Sequence, residues 1–411
     1  MSKPSTDMKD AVRELDLTMP LERFLAICFL VPMGDPCDPA CIWGLPVMLH
    51  GSPGIGKTAR IHQAARAANL QCKPVELGGR QPEDASGAPF LTRDDKLVIA
   101  CLLSPVNELN EIGEGVLFLD ELTCARPATQ GAFLSAVQER RVGDTQFSNH
   151  IRIVCAGNPP NEAAGGYQLQ LPMANRMAHR DIPPPTVDEY LRHRMQGTNS
   201  KVKKLDGDMS KIINEWHNAL PMVIGLEAGF LRRFKKHLFT IPPMGKADRG
   251  KAFPTPRSLT AAMNAVTTCR ILGLDTSHQA ELVAACIGNE AAIDWETWVN
   301  DADLPDPLDM LNNGWKPDKD RLDRTQAAFS SAVAYTLSRQ DKNEQLLLAP
   351  KAWNLLKTLT EVGLADIAVP AASDLIQRGY GTKAGKEIAE VARPILLRFG
   401  NMGFDDLMRE N

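Results

Sequence analysis

Gly51-Ser52-Pro53-Gly54-Ile55-Gly56-Lys57-Thr58 fills every fixed position of the pattern G-x-x-x-x-G-K-[ST]. It directly follows an apolar run, Leu45-Pro46-Val47-Met48-Leu49, and opens a helix-like stretch, Ala59-Arg60-Ile61-His62-Gln63-Ala64-Ala65. A strand, a glycine-rich turn and a helix in that order make a phosphate cradle. The glycines let backbone N–H groups turn inward without a side-chain clash, and the helix N-terminus adds partial positive charge. Gly51, Pro53, Gly54, Gly56, Lys57, Thr58 and Ala59 are therefore the candidate nucleotide contacts. Lys57 is expected to reach the β- and γ-phosphates of ATP, and the Thr58 hydroxyl to hold Mg²⁺.

Two further apolar runs end in polar residues. Gly115-Val116-Leu117-Phe118-Leu119 leads into Asp120-Glu121, so two carboxylates sit at the C-terminal end of a buried strand, where open α/β sheets bind ligands. Asp120 is the candidate second support of the Mg²⁺ shell, and Glu121 the candidate base that polarises water. Ile151–Ala156 runs into Gly157-Asn158-Pro159-Pro160, which offers the Asn158 amide at another strand end. Read without the glycine-rich loop, the acids suit a solvent-facing strand end and Asn158 a turn before proline.

The remaining chain fixes the frame. Strands alternating with helices imply a mostly parallel sheet covered on both faces. The expected organisation is a helical lead-in over 1–40, an α/β nucleotide-binding core over 41–185, a helical lid over 186–300, and a helical segment over 301–411. Pro183-Pro184-Pro185 and Asp303-Leu304-Pro305-Asp306-Pro307 mark the two later breaks. At 411 residues, 44% hydrophobic and 23% charged, the composition is globular, which excludes disordered, fibrous and disulfide-stapled classes. A net charge of −4, from 46 basic and 50 acidic residues, argues against bulk coating of nucleic acid. Phe24–Met33 is too short an apolar run to span a bilayer and follows an acidic stretch, so a cytoplasmic protein is expected. Nine irregularly spaced cysteines, with Cys37 and Cys41 the only close pair, read as reduced thiols in preference to a metal site.

The order of glycine-rich loop, Asp-Glu strand and strand-Asn-Pro resembles an AAA+ ATPase, and the linking segments resemble its MoxR branch. Glu76–Phe90 resembles the MoxR segment after the second strand, and Leu122–Arg140 its helix after the acid pair. Asn175-Arg176-Met177 resembles the family's Asp-Arg-Phe, with Asn and Met substituted. Phe253-Pro254-Thr255-Pro256-Arg257-Ser258-Leu259 resembles the stretch that opens the lid helix. The resemblance spans about 40–300 and leaves 301–411 without a recognisable relative. It implies that Asn158 is sensor 1, Arg257 sensor 2, and Arg176 a finger reaching the neighbouring subunit's nucleotide, with Arg126 and Arg180 as competitors. It also implies a homo-oligomeric ring, a hexamer, acting as a chaperone-like motor with a von Willebrand factor A domain partner.

Two other features bear on what such a motor handles. Ala88–Ala100, around Arg93-Asp94-Asp95-Lys96, has the pattern of a hairpin, and Arg141–His150 that of a loop or hairpin. By the resemblance these face the ring's pore, with Phe90, Leu91 and Phe147 as apolar contacts; ordinary core packing is the alternative. Arg232-Arg233-Phe234-Lys235-Lys236-His237, with Lys201, Lys203 and Lys204 upstream, suits either nucleic-acid phosphates or a solvated helix face. A nucleic-acid remodeller and a nucleotide-gated switch are thus the alternative functions. In the last segment, 317–340, 345–362 and the run from Ile388 to Phe399 each carry helical apolar spacing, with Pro394 expected to kink or split the third.

Overall fold

A computed structural model describes residues 18–86, 88–91, 94, 97–100, 103–159, 166–196, 208–243, 250–381 and 386–400. The elements run α1 (Leu21–Leu30), β1 (Val47–His50), α2 (Lys57–Ala67), β2 (Cys72–Glu76), α3 (Pro82–Ser86), β3 (Ala88–Leu91), β4 (Leu97–Ala100), α4 (Ser104–Ile112) and β5 (Glu114–Asp120). They continue with α5 (Pro127–Ala132), α6 (Leu134–Gln138), β6 (Arg141–Val142), β7 (Thr145–Gln146), β8 (His150–Gly157), α7 (Leu171–Ala174), β9 (Ala178–Asp181) and α8 (Val187–Gln196). Helices follow to the end: α9 (Met209–Arg233), α10 (Pro256–Ile271), α11 (Thr276–Ile287), α12 (Asn289–Ala302), α13 (Pro307–Asn313), α14 (Leu322–Ser338), α15 (Lys342–Glu361), α16 (Ala365–Gln377) and α17 (Lys386–Gly400).

The expected sheet is present. Five parallel strands lie in the order β2-β5-β8-β1-β9. β1 and β8 are buried along nearly their whole length, as the continuous apolar runs require of a sheet covered on both faces. In register, Leu119 pairs with Cys155 and Leu49 with Ala156. The Asp120 carboxylate, Asn158 and the glycine-rich loop therefore leave neighbouring strands at the same end of the sheet.

Two core clusters sandwich the sheet. One face packs α1, α2 and the lid helices, through Phe24, Ile61, Val154, Leu259 and Leu282. The other packs α4 to α7 and the loop after β7, through Val106, Leu117, Phe133 and Ile153. Phe147 belongs to this second core and is 2% exposed, so its expected role as a pore contact is overturned. Its N–H donates to the Arg140 carbonyl, which closes the β6–β7 hairpin back onto the core. The stretch Leu122–Arg140 is not one helix; it starts with a turn and then breaks at Phe133 between α5 and α6. β3 and β4 do pair as an antiparallel hairpin, with Leu91 and Leu97 both exposed. The side chain of Phe90 lies outside the described residues, as do Lys201, Lys203 and Lys204.

The last helices are joined to α9 along a tight seam. At Gly225 a Cβ would run into the Ala327 carbonyl and Ser331, and at Gly229 into Trp298 and the Asp323 carbonyl. The Trp298 indole donates to the Leu226 carbonyl at 2.9 Å, which satisfies its buried N–H. Beyond the seam, α13 to α17 close a core of their own around Phe329, Trp353, Leu356 and Leu375. α17 continues through Pro394, which does not split it. Among the described residues no helix is long and apolar enough to cross a membrane.

Candidate nucleotide site

Gly54 and Gly56 adopt φ of +81° and +86°, the left-handed region that glycine enters without strain. This turn delivers the chain into α2 with Gly56 at the N-cap and no side-chain cap. The first-turn N–H groups of Lys57, Thr58 and Ala59 thus stand at a helix start that has no side-chain cap, the arrangement that accepts phosphate. Lys57 Nζ donates to the carbonyls of Gly51 (2.7 Å) and Ser52 (3.0 Å) and to Asn158 Oδ1 (2.8 Å). Because an ammonium only donates, the amide of Asn158 must turn its oxygen to Lys57, and its Nδ2 is the end left to donate elsewhere. The Thr123 hydroxyl donates to the Asn158 carbonyl at 3.0 Å and holds that turn.

Thr58 Oγ1 lies 3.3 Å from Asp120 Oδ2. Hydroxyl and carboxylate oxygens side by side at the end of a phosphate cradle fit Mg²⁺, a hard cation that takes oxygen ligands and keeps several waters. Glu121 stands at φ +55°, unusual for a residue with a side chain. Its carboxylate lies so close to Gly78 that a Cβ there would sit 2.6 Å from Oε2. The sequence shows the Gly78-Gly79 pair but not which side chain it makes room for. Cys124 follows on the same turn. Its thiol is pushed up by burial and then by Glu121 and Asp120, which keeps it protonated.

The arginines divide differently from the expectation. Arg176 precedes β9, whose first residue Ala178 pairs with Val47, the first residue of β1. It therefore lies at the sheet end opposite the glycine-rich loop, roughly 15 Å away at about 3.3 Å per residue. Arg176 Nε donates to Gln138 Oε1 at 2.6 Å and Nη1 to the Pro172 carbonyl. Arg257 is its neighbour: burial first and then the Arg257 charge lower the Arg176 pKa. The two are joined through the preceding residues, since Thr255 Oγ1 donates to Asn175 Oδ1 at 2.8 Å and Asn175 Nδ2 donates to the Phe253 carbonyl. Thr255 also caps α10 in a reciprocal box with Ser258, which leaves Arg257 exposed in the first turn. Arg180 is no competitor as a finger. It is buried against Glu281 at 2.6 Å and donates to the Met19 carbonyl. Arg126 is exposed at the start of α5.

Beneath the cradle, His50 Nε2 and His179 Nδ1 are 2.8 Å apart, and His179 Nε2 is 2.9 Å from the Ala174 carbonyl. A carbonyl only accepts, so His179 carries its proton on Nε2 and His50 donates from Nε2; both rings are neutral. Burial lowers the His179 pKa to about 4 and takes His50 well below its ordinary value.

The basic cluster of α9 is engaged by acids. Arg232 pairs with Asp366, Arg233 with Asp301 and Asp323, Lys236 with Glu290 and Asp294, and His237 with Asp294. It is a salt-bridged helix end, in which Arg232, Arg233, Lys236 and His237 each face an acid.

A parallel sheet with phosphate cradle, acid pair and polar amide at one strand end defines a P-loop nucleotide-hydrolysing enzyme. Residues 46–178 match the family described as ATPase family associated with various cellular activities (AAA). Among solved structures, a candidate ATPase from Cytophaga hutchinsonii ATCC 33406 is 15% identical with a TM-score of 0.41, over 68% of this chain and 87% of that one. No curated protein matches the chain. Core, site and family match agree on an ATPase, with the AAA likeness confined to residues 46–178.

Proposed function

We propose that the chain hydrolyses Mg·ATP at the interfaces of a homo-oligomeric ring, a hexamer of the MoxR type, and uses the cycle to remodel a protein complex. The observation that carries this reading is the split between two groups of residues. Lys57, Thr58, Asp120, Glu121 and Asn158 converge at one end of the sheet, while Arg176 and Arg257 sit together at the other. In one chain the two groups are too far apart to act on one phosphate. Between chains they complete each other.

In this mechanism the uncapped amides of Lys57, Thr58 and Ala59 and the Lys57 ammonium hold the phosphates, with Gly51, Pro53, Gly54 and Gly56 shaping the loop. Thr58 and Asp120 would hold Mg²⁺, which when bound would supply positive charge against the phosphates. Glu121 accepts hydrogen-bonding from the attacking water and polarises it, and Asn158 Nδ2 orients water or γ-phosphate. Arg176 and Arg257 meet the charge that builds on the γ-phosphate of the neighbouring subunit. Sensor 2 thereby acts in trans beside the finger. The exposed Leu91 and Leu97 hairpin supplies apolar contacts for a protein substrate, and a von Willebrand factor A domain protein is the expected partner.

Phosphate release by the full chain tests the reading. Lys57→Ala should lose ATP binding, whereas Glu121→Gln should bind ATP and not turn it over. Equal calorimetric affinity in wild type and Lys57→Ala would remove the cradle assignment. Stimulation of turnover by nucleic acid, and not by a protein partner, would favour a nucleic-acid remodeller instead.

A further inference from the structure

Far from the cradle, three side chains of metal-binding type converge from positions nearly two hundred residues apart. Asp35 and Cys37 lie on the loop between α1 and β1, and His217 on α9. One ligand atom from each falls within a sphere where all three are no more than 4.8 Å from one another. The loop is built rather than slack. Met33 N–H donates to the Ile42 carbonyl, Pro32 bridges to Trp43, Cys37 N–H donates to Asp35 Oδ1, and Ala40 N–H to Asp38 Oδ1.

The contact between Asp35 and His217 is poor as a hydrogen bond and close to the length of a coordination edge. His217 Nε2 and Asp35 Oδ1 are 3.2 Å apart, yet neither ring nitrogen of His217 makes a hydrogen bond, although both are shielded from solvent. Cys37 Sγ lies 3.7 Å from the Ile213 carbonyl. A tetrahedral ion with metal–ligand distances of 2.0–2.3 Å has ligand–ligand edges of about 3.3–3.8 Å. Burial and then Asp35 push the Cys37 thiol up, while the Gln340 side chain, from the link between α14 and α15, hydrogen-bonds Cys37 and works in the thiolate's favour.

We propose that Asp35, Cys37 and His217 bind a Zn²⁺ ion that ties the loop between α1 and β1 to helix α9. A thiolate, an imidazole and a carboxylate suit a borderline-soft divalent ion, and the Mg²⁺ of the nucleotide site prefers oxygen alone. One thiolate and one carboxylate also balance the ion's charge, which matters because Arg339 packs against the His217 carbonyl. The fourth position is open to water or to Gln340. Held this way, the loop, α9 and the start of α15 move as one piece.

The test uses untagged, full-length, nucleotide-free protein stripped with a chelator and titrated with Co²⁺. A stoichiometric thiolate-to-Co²⁺ charge-transfer band is expected, displaced by Zn²⁺, with Zn²⁺ raising the Tm. Cys37→Ser, an exposed position, should abolish the band and the Zn²⁺-dependent rise in Tm while melting like wild type without metal. His217→Gln should lose the band at the same Co²⁺ concentration. Gln340→Ala should weaken affinity on the order of 10–100-fold, as loss of an outer partner does. Cys124→Ser, beside the catalytic acids, should keep the band. Absence of a band in wild type, or a band that survives Cys37→Ser, overturns the proposal.

Discussion

The strand-end site and the α9–α14 seam are held by opposite kinds of physics. At the strand ends, backbone donors are left uncapped, polar side chains touch one another across strands, and Glu121 sits in a left-handed backbone. At the seam, two glycines let helices approach until a single methyl group would not fit. The first region tolerates local strain to present charge; the second removes all slack to present nothing. A site that must bind and release phosphate needs donors free of side-chain caps, and a close-packed joint needs no polar groups at all.

The comparison can be tested from both sides. The largest effect is expected at the nucleotide site. Arg176→Ala should lower kcat on the order of 10³–10⁵-fold with ATP binding intact, as loss of a trans arginine does in well-studied switch proteins. Mixing Arg176→Ala with Lys57→Ala subunits should recover part of the activity, because an intact cradle then meets an intact finger. Failure to recover in proven mixed assemblies would count against action in trans.

Next comes acid. His179 has a pKa of about 4 in the fold against about 6.5 in an unfolded chain, so the unfolded chain takes up its proton first as pH falls. The stability held above about pH 6.5 should decline between there and pH 4, by about 3 kcal/mol in total. Chemical denaturation of wild type and His179→Asn across that window checks the sign; equal slopes would dismiss the histidine pair as its source.

At the seam, Gly225→Ala should destabilise by about 1–3 kcal/mol, the usual penalty for overpacking, without changing ATP affinity. A neutral result would show that α9 and α14 have room to part. The smallest effect belongs to the basic cluster. Lys236→Ala removes a largely exposed pair and should cost less than about 1 kcal/mol. It should also leave any nucleic-acid stimulation unchanged, since Lys236 already faces Glu290 and Asp294.

Much of the candidate site's geometry is legible because each of its parts is a contiguous motif with its strand attached. Gly51–Thr58, Asp120-Glu121 and Asn158 each carry their local geometry in neighbouring residues, and parallel pairing brings the strand ends together. What could not be read depends on contacts between distant segments. Arg257 beside Arg176 depends on the hydrogen bond between Thr255 and Asn175. Phe147 looked available because its flanks are polar, yet the hairpin folds it inward. Gly225 and Gly229 sit one helical turn apart inside an otherwise good helix, and the sequence does not say which helix needs the space. Residues 301–411 carried helical spacing but no indication that α14 would lie along α9.

Glu281 has a consequence for how the protein moves. One of its carboxylate oxygens takes the N–H groups of Thr18 and Met19 and the Thr18 hydroxyl, and the other takes the Arg180 guanidinium. A single buried anion thereby locks the edge strand β9, the lid helix α11 and the entry to α1 into one body. Removing one partner of such a buried pair costs about 3–5 kcal/mol, so a nucleotide cycle gains little by working against it. Any swing of the helical region must carry β9 along, and the sheet itself becomes the lever: its edge strand, anchored outside, passes motion directly to β1 and the loop that grips phosphate.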